Sequence, residues 1–185
     1  FCKACPEMIG SAIGIYNMTK IGIFYGSTTG NTEDIAFQIQ DAFDNEVDLH
    51  NIASSSIDEM SDYSLLILGV SSWGLGDMQD DWGRIKKKLE QFDFSGKKVA
   101  IFCLGDQHNY PDRFADAVST LASIVEKNGA ELVGETNPEG YSFSKSKAVR
   151  NGRFLGLVLD VDSQRERTRE RIIHWVHRLK RIDQL

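Results

Sequence analysis

The chain has 185 residues, of which 41% are hydrophobic, and carries 27 acidic against 21 basic side chains. This length suits one domain with a single substantial core, and no run approaches the roughly 20 apolar residues of a transmembrane helix, which excludes a membrane span. The net charge of −6 argues against nucleic acid as a partner, because the phosphates would be repelled, and favours proteins that present a basic surface.

The charge and the cysteines are unevenly distributed along the chain. Residues 1–163 carry 14 Lys and Arg against 24 Asp and Glu, whereas residues 164–185 carry 7 against 3. We interpret the basic end as the solvated face of a helix. Three cysteines are too few for a disulfide framework, which indicates a reducing compartment, and we expect a cytoplasmic protein.

The first 18 residues are set apart from the rest of the chain. Met18-Thr19-Lys20 is typical of the start of a domain, because an apolar strand pattern follows at once. We therefore expect residues 1–18 to be a leader that is disordered or foreign to the domain, and residues 19–185 to form a single domain. Cys2 and Cys5 have the spacing of a thiol redox pair or of half a metal site, but no second half follows, and we predict no metal site.

The predicted elements then alternate between strands and helices. A strand over residues 21–25 leads into a polar, glycine-rich loop at 26–31 and then into an amphipathic helix. Further strands are predicted at 46–52, 65–70 and 99–104. The apolar residues that predict helix faces are Ile35, Ile39 and Phe43, then Trp82, Ile85 and Leu89, then Phe114, Ala117, Val118, Leu121 and Val125. Gly129 is the expected stop of that third helix.

The end of the chain departs from simple alternation. Residues 131–134 and 153–160 are both strand-like, but residues 135–152 between them are rich in Gly, Ser, Lys and Asn. We interpret this segment as an excursion that interrupts the last strand. The final helix has an apolar face formed by Ile172, Trp175, Val176 and Leu179.

Alternation at this spacing predicts a parallel sheet covered by helices on both faces. Such sheets bind ligands outside the carboxyl ends of their strands. The loops that follow Tyr25, Val70 and Leu104 all leave from that edge. Three loops from distant parts of the chain are therefore expected to converge on one site.

The first of these loops has the composition of an anion cradle. Residues 26–33 read GSTTGNTE and supply hydroxyls, two glycines and a run of backbone N–H groups at the start of a helix. The loop contains no Lys, so it is not the loop that grips a triphosphate and its magnesium. Neutral donors and the helix dipole suit a terminal phosphate monoester. The alternative is an N-capping loop without a ligand.

Three loops together resemble the FMN-binding loops of the flavodoxin family. They are the cradle, the stretch SSWGLG at 71–76 and the stretch GDQHNYP at 105–111. They follow the predicted first, third and fourth strands, as the family requires, and the interrupted last strand is similar to that of the long-chain, bacterial-type flavodoxins. The resemblance implies a three-layer α/β/α fold with a five-stranded parallel sheet of order 2-1-3-4-5, whose last strand is interrupted by an insertion.

The resemblance also implies a role for individual residues. Residues 27–32 would bind the FMN phosphate, with Ser72 adding a hydroxyl, and Trp73 and Tyr110 would flank the isoalloxazine ring. Gly105 and Asp106 would meet the pyrimidine edge of the flavin through their backbone. Asp162 would lie near the ribityl chain or be a solvated loop carboxylate. The full implied set is Ser27, Thr28, Thr29, Gly30, Asn31, Thr32, Ser71, Ser72, Trp73, Gly74, Leu75, Leu104, Gly105, Asp106, Tyr110 and Asp162.

The Gly74–Leu75 peptide matches the family position whose carbonyl turns to flavin N5 after one-electron reduction, and glycine makes that turn easy. The sequence departs from the family pattern at Ser71, where proline is common and where serine is expected to loosen the loop, and at Cys103, which we expect to be buried and inert. Acidic residues in or beside the loops would form a negative rim that lowers the second reduction potential and steers basic partners. They are Asp77, Asp80, Asp81, Asp106 and Asp112.

The resemblance implies a low-potential carrier that binds FMN non-covalently and moves single electrons between redox proteins, with no catalytic acid, base or nucleophile. The implied partners are basic-faced proteins such as an NADPH-dependent flavodoxin reductase and downstream acceptors, and the chain is expected to be a monomer. The main alternative is an FMN-dependent NAD(P)H:quinone reductase on the same fold. Such an enzyme needs room above the flavin, so aromatic side chains on both ring faces favour the carrier.

Overall fold

The computed structural model describes residues 20–73 and 76–182, so the predicted leader at 1–18 lies outside the described residues. The strands are β1 (Ile21–Tyr25), β2 (Asp48–Asn51), β3 (Leu65–Trp73), β4 (Asp77–Met78), β5 (Lys98–Leu104), β6 (Glu131–Val133), β7 (Val149–Arg150), β8 (Arg153–Phe154) and β9 (Leu157–Leu159). The α-helices are α1 (Asn31–Ala42), α2 (Asp80–Leu89), α3 (Ala117–Lys127) and α4 (Arg165–Ile182), and a 3₁₀ helix spans Ile57–Asp62.

The main sheet has the predicted order, with β2, β1, β3 and β5 side by side and parallel. The fifth position is shared by two short strands. β6 pairs with the first half of β5, from Lys98 to Ala100, and β9 pairs with the second half, from Phe102 to Leu104. Both pairings are parallel, so the order 2-1-3-4-5 and the interruption of the last strand are confirmed, the predicted fourth strand being β5.

Two details of the sheet differ from the prediction. The strand predicted at 153–160 is not continuous, because β8 pairs antiparallel with β7 inside the insertion and only β9 joins the main sheet. The sheet also carries the short antiparallel strand β4, which folds back on the end of β3. This return brings the segment that follows Gly76 close to the carboxyl edge, where the second loop lies.

Helices cover both faces of the sheet, as predicted. α1 and α4 pack together on one face, where Ile35, Ile39, Ile172 and Trp175 belong to one buried cluster. α2 and α3 cover the other face, and their apolar residues belong to a second buried cluster. The predicted face of α3 is buried, but Phe114 lies in the turn before the helix, which begins only at Ala117. Within the described residues, no helix is both long and apolar enough to cross a membrane.

The chain returns to the sheet after the insertion at Gly156, where the backbone approaches β5 closely. A Cβ atom on Gly156 would lie 2.1 Å from the carbonyl oxygen of Ile101. Gly156→Ala is therefore expected to lower the free energy of unfolding by about 2 kcal/mol, because the strand must shift to admit the methyl group. Urea denaturation measures the change.

Gly83 is the matched control for this substitution, because it lies within α2 and a Cβ there would have no neighbour within 4 Å. Gly83→Ala is expected to raise the free energy of unfolding by up to about 1 kcal/mol, as alanine is the better helix former. Equal and small effects of the two substitutions would contradict the close approach at Gly156.

Candidate functional site

A cleft of about 200 Å³ lies at the carboxyl edge of the sheet, where the three predicted loops meet. Its lining consists of Thr29, Asn31, Thr32, Ser71, Ser72, Trp73, Leu104, Gly105, Asp106, Tyr110, Val161 and Asp162. Every member except Val161 belongs to the set named from the sequence. Ser27, Thr28 and Gly30 do not line the cleft but shape its first loop, and Gly74 and Leu75 lie outside the described residues.

The first loop presents unused hydrogen-bond donors at the start of α1. Gly30 precedes the helix with a φ of 92°, a conformation that glycine adopts without strain. The Ser27 hydroxyl accepts hydrogen bonds from the backbone N–H groups of Gly30 at 3.1 Å and Glu33 at 3.4 Å, so it closes the loop. Among the described residues, the backbone N–H groups of Asn31 and Thr32 meet no acceptor. These two amides and the helix dipole form a site suited to an anion.

Gln79, which was not predicted from the sequence, supports the first loop through a side-chain hydrogen bond. Its side chain is buried, and its amide nitrogen donates to the Thr28 hydroxyl at 3.0 Å and to the Asp81 carboxylate at 2.7 Å. Its amide oxygen accepts from the Asp81 backbone N–H at 3.1 Å. A Cβ on Gly26 would lie 2.3 Å from that oxygen, so the loop starts with glycine because Gln79 occupies the space. The one local sequence feature that could have indicated this role is the acidic pair Asp80 and Asp81, which marks the start of α2 and places Gln79 at its N-cap.

Gln79→Ala is expected to lower the free energy of unfolding by about 2 kcal/mol, because Thr28 and the largely buried Asp81 both lose a donor. Urea denaturation of the apoprotein measures the change. Gln38→Ala on the exposed face of α1 is the control and should stay within about 0.5 kcal/mol. If the two substitutions cost the same, Gln79 does not support the loop.

The second loop places an indole ring at the mouth of the cleft. Trp73 is 43% exposed, and its ring N–H donates to the Ser71 hydroxyl at 2.7 Å. A serine at this position, where proline is common in the family, is expected to loosen the loop. The structure shows instead that its hydroxyl fixes the orientation of the indole, which a proline could not do.

The third loop is closed by its own acidic side chain. The Asp106 carboxylate accepts from the backbone N–H groups of His108 at 3.0 Å and Asn109 at 2.8 Å, and the Asp106 carbonyl accepts from the Tyr110 backbone N–H at 3.1 Å. Tyr110 therefore stands at the mouth of the cleft and is 45% exposed. Among the described residues, Trp73 and Tyr110 are two of the four large hydrophobic side chains that stay exposed.

A buried carboxylate anchors this third loop to the end of β9. Asp160 is fully buried and accepts hydrogen bonds from Gln107, through its backbone and side-chain N–H groups at 3.1 and 2.9 Å, and from the Ser163 hydroxyl at 2.6 Å. Burial raises the pKa of Asp160, but the hydrogen bonds from Ser163 and Gln107 together outweigh it, so the pKa lies below its ordinary range. The Gln107 side-chain oxygen accepts from the Ser142 backbone N–H at 2.6 Å, which ties the loop to the insertion.

The acidic residues beside the cleft do not all contribute free charge. Asp81 pairs with Arg84 at 2.8 Å and Asp112 pairs with Arg113 at 2.8 Å. Asp77 and Asp80 are exposed, and Asp106 is half-buried within its own loop. The negative rim is therefore weaker than the five acidic residues alone indicate.

Cys103 lies at the end of β5 beneath the site. Its side chain is completely buried, as predicted, and burial raises the pKa of the thiol well above its ordinary value. The nucleophilic thiolate is thus disfavoured at neutral pH. Cys103 belongs to the core and not to the chemistry of the cleft.

Comparison with known proteins supports the family resemblance that the three loops indicate. The family model described as Flavodoxin matches residues 23–175. A flavodoxin of Nostoc sp. is 44% identical over 162 residues, which cover 87% of this chain and 95% of that protein. A flavodoxin of Synechocystis sp. is 46% identical over 167 residues, covering 89% and 98%. A flavodoxin of Haemophilus influenzae is 44% identical over 160 residues, covering 85% and 92%.

The solved structures lead to the same family. The crystal structure of Fusobacterium nucleatum flavodoxin bound to flavin mononucleotide superimposes with a TM-score of 0.85 and 32% sequence identity, covering 89% of this chain and 98% of that one. The resemblance predicted from three loops and an interrupted last strand is confirmed, and the chain belongs to the flavodoxin family.

Proposed function

We propose that this chain binds FMN non-covalently in the cleft at the carboxyl edge of the sheet and carries single electrons at low potential between redox proteins. The observation that carries the proposal is the meeting of a helix N-terminus with two unused amides and two exposed aromatic side chains in one cleft. Family membership supports it, as does the FMN bound to the similar flavodoxin of Fusobacterium nucleatum.

The polar part of the cleft fits the phosphate of FMN. Its monoester would lie at the start of α1 and accept hydrogen bonds from the Asn31 and Thr32 backbone and from the hydroxyls of Thr29, Thr32 and Ser72. No lysine is present in this loop, so the helix dipole and neutral donors balance the phosphate charge. Ser27 and Gln79 act one step away by fixing the shape of the loop.

The apolar part of the cleft fits the flavin ring. Trp73 and Tyr110 would cover its two faces and exclude water, and Gly105 and Asp106 would meet its pyrimidine edge through backbone groups, while Asp162 would lie near the ribityl chain. FMN supplies the redox chemistry when bound. Electron-rich aromatic faces and nearby carboxylates disfavour extra negative charge on the ring, which lowers the potential for the second electron.

The surroundings of the cleft support a carrier that meets basic-faced proteins, such as an NADPH-dependent flavodoxin reductase and downstream acceptors. The exposed Asp77 and Asp80 lie beside the second loop and would attract such faces. Aromatic rings on both flavin faces would leave little room for a nicotinamide or a quinone, which favours a carrier over a reductase. A carrier needs no catalytic acid, base or nucleophile, and we assign none. The low cysteine content supports a protein of the reducing cytoplasm, and we expect the protein to be a monomer.

The experiment that tests this role records visible spectra of the purified holoprotein during stepwise anaerobic reduction and then after addition of NADPH alone to the oxidised protein. A carrier should bind flavin, pass through a well-populated one-electron-reduced form and stay oxidised with NADPH until a reductase is added. Direct reduction by NADPH without the one-electron form would instead indicate the NAD(P)H:quinone reductase. A protein that binds no flavin would overturn the proposal.

A further inference from the structure

The arginines of the protein fall into two groups. Away from α4, the arginines at 84, 113, 150 and 153 each approach a carboxylate within 3.6 Å. α4 carries arginines at 165, 167, 169, 171, 178 and 181, and none of these pairs with a carboxylate of the described residues. Among the described residues, the arginines that lack a carboxylate partner thus all lie on one helix, in a chain with a net charge of −6.

Three of these arginines line a second cleft, between α4 and the insertion. Arg167, Arg171 and Arg178 occupy positions i, i+4 and i+11, so they share one face of the helix. The cleft has a volume of about 630 Å³, within the range of small-molecule sites and larger than the roughly 200 Å³ of the flavin cleft. Residues of the insertion, including Gly140 and Tyr141, form its opposite wall.

Arg171 lines the cleft from α4, between Arg167 and Arg178 along the helix, and has an unused donor. Its guanidinium lies 4.1 Å from the centre of the Tyr141 ring, and the Tyr141 hydroxyl donates to the Val158 carbonyl, which fixes the ring. The Nη1 atom of Arg171 is buried and meets no acceptor within the part of the chain that the structure describes. A buried donor without an acceptor is unfavourable, and an anion that reaches this nitrogen would supply the missing acceptor.

The charge of the cleft favours a small anion over an acidic protein. Arg178 donates to the Glu135 carbonyl at 3.0 Å, and burial, with Arg153 and Arg181 nearby, lowers its pKa. An anion beside Arg178 would offset the repulsion among these guanidinium groups. Glu139 and Glu170 also line the cleft but are exposed, and they would oppose a large acidic surface. The acidic body of the protein would repel such a surface as well.

We propose that this cleft binds a small organic anion that carries phosphate or carboxylate groups, held by Arg171 with Arg167 and Arg178 on either side. Guanidinium groups bind both kinds of group through paired N–H donors. The partly buried side chain of Tyr141 lines the cleft as well and would contact the rest of the ligand. The site is separate from the flavin cleft, since the two share no lining residue.

Isothermal titration of the FMN-loaded protein with sodium pyrophosphate, and in a second series with citrate, tests the proposal at low and matched ionic strength. FMN fills the cradle at 26–33 in this protein, so the anions cannot bind there. We expect saturable one-to-one binding, and the tighter probe identifies phosphate or carboxylate as the preferred group. The absence of saturable binding with both probes would overturn the proposal.

Substitutions on α4 then locate the site. Arg171→Gln should weaken binding at least tenfold, and the exposed Arg167→Gln should weaken it several-fold even if Arg171→Gln proves unstable. Arg169 lies on the same helix but lines a different cleft, beside α1. Arg169→Gln therefore removes the same charge and should change the affinity less than twofold. Equal losses for Arg167→Gln and Arg169→Gln would mean that the anion senses only the charge of the helix, and would overturn the site.

Discussion

Replacing both Trp73 and Tyr110 by alanine is expected to weaken FMN binding more than 100-fold and to leave the stability of the apoprotein nearly unchanged. Both rings line the cleft and are 43% and 45% exposed, so the core does not depend on them. Each ring that covers the flavin contributes buried apolar area and a stacking term, and about 3 kcal/mol for the pair already corresponds to more than 100-fold.

Titration of the apoprotein with FMN, followed by flavin fluorescence, measures this loss. Phe37→Ala is the matched control, because Phe37 is another exposed aromatic residue, 49% exposed, on α1 and outside the cleft lining. It should bind FMN as the unmodified protein does. An unchanged affinity in the Trp73 and Tyr110 double variant would show that the rings do not flank the flavin.

Asp160→Asn is expected to lower the free energy of unfolding of the apoprotein by about 3 kcal/mol at pH 7. The buried carboxylate accepts hydrogen bonds from Gln107 and Ser163, and an amide would turn an N–H group toward some of these donors. Asp162→Asn is the control, since that side chain is exposed in the same loop and its loss should cost less than about 0.5 kcal/mol.

The pH dependence of this effect follows from the lowered pKa of Asp160 in the folded protein. The carboxylate binds protons less readily in the folded than in the unfolded state, so its contribution to stability is complete above the unfolded pKa of about 3.9. It is lost as the pH falls through the folded pKa. The difference between the unmodified protein and Asp160→Asn should therefore shrink below about pH 4 in urea denaturation series, and a constant difference would contradict the assignment.

The parts of the fold that could be predicted are those in which neighbouring residues carry the signal. β3 and β5 are buried on both faces, so their continuous apolar runs predict strands. The apolar residues of α1 recur at the spacing of helical turns, which predicts a helix. The loops that line the cleft were also recognisable, because hydroxyl, glycine and aromatic residues follow these strands directly. Trp73 and Tyr110 could be named for the same reason.

The residues that were missed depend on partners far away in the chain. Gln79 meets Thr28 across 51 positions, and Gln107 meets Asp160 across 53. A glutamine in a loop or an aspartate after a strand has no local pattern that predicts burial, since only the folded chain brings the partners together. The break in the strand predicted at 153–160 has the same origin. β8 pairs with β7 inside the insertion and so does not join the main sheet.

FMN binding in this cleft is tested most directly by following the backbone amide resonances of the apoprotein in a ¹H–¹⁵N NMR titration with FMN. We expect the largest shifts at the amides of Asn31, Thr32, Gly105 and Asp106, with a further shift of the Trp73 indole N–H. These groups line the cleft at the carboxyl edge of the sheet. Saturable shifts confined to another surface, such as the cleft between α4 and the insertion, would contradict the proposed site.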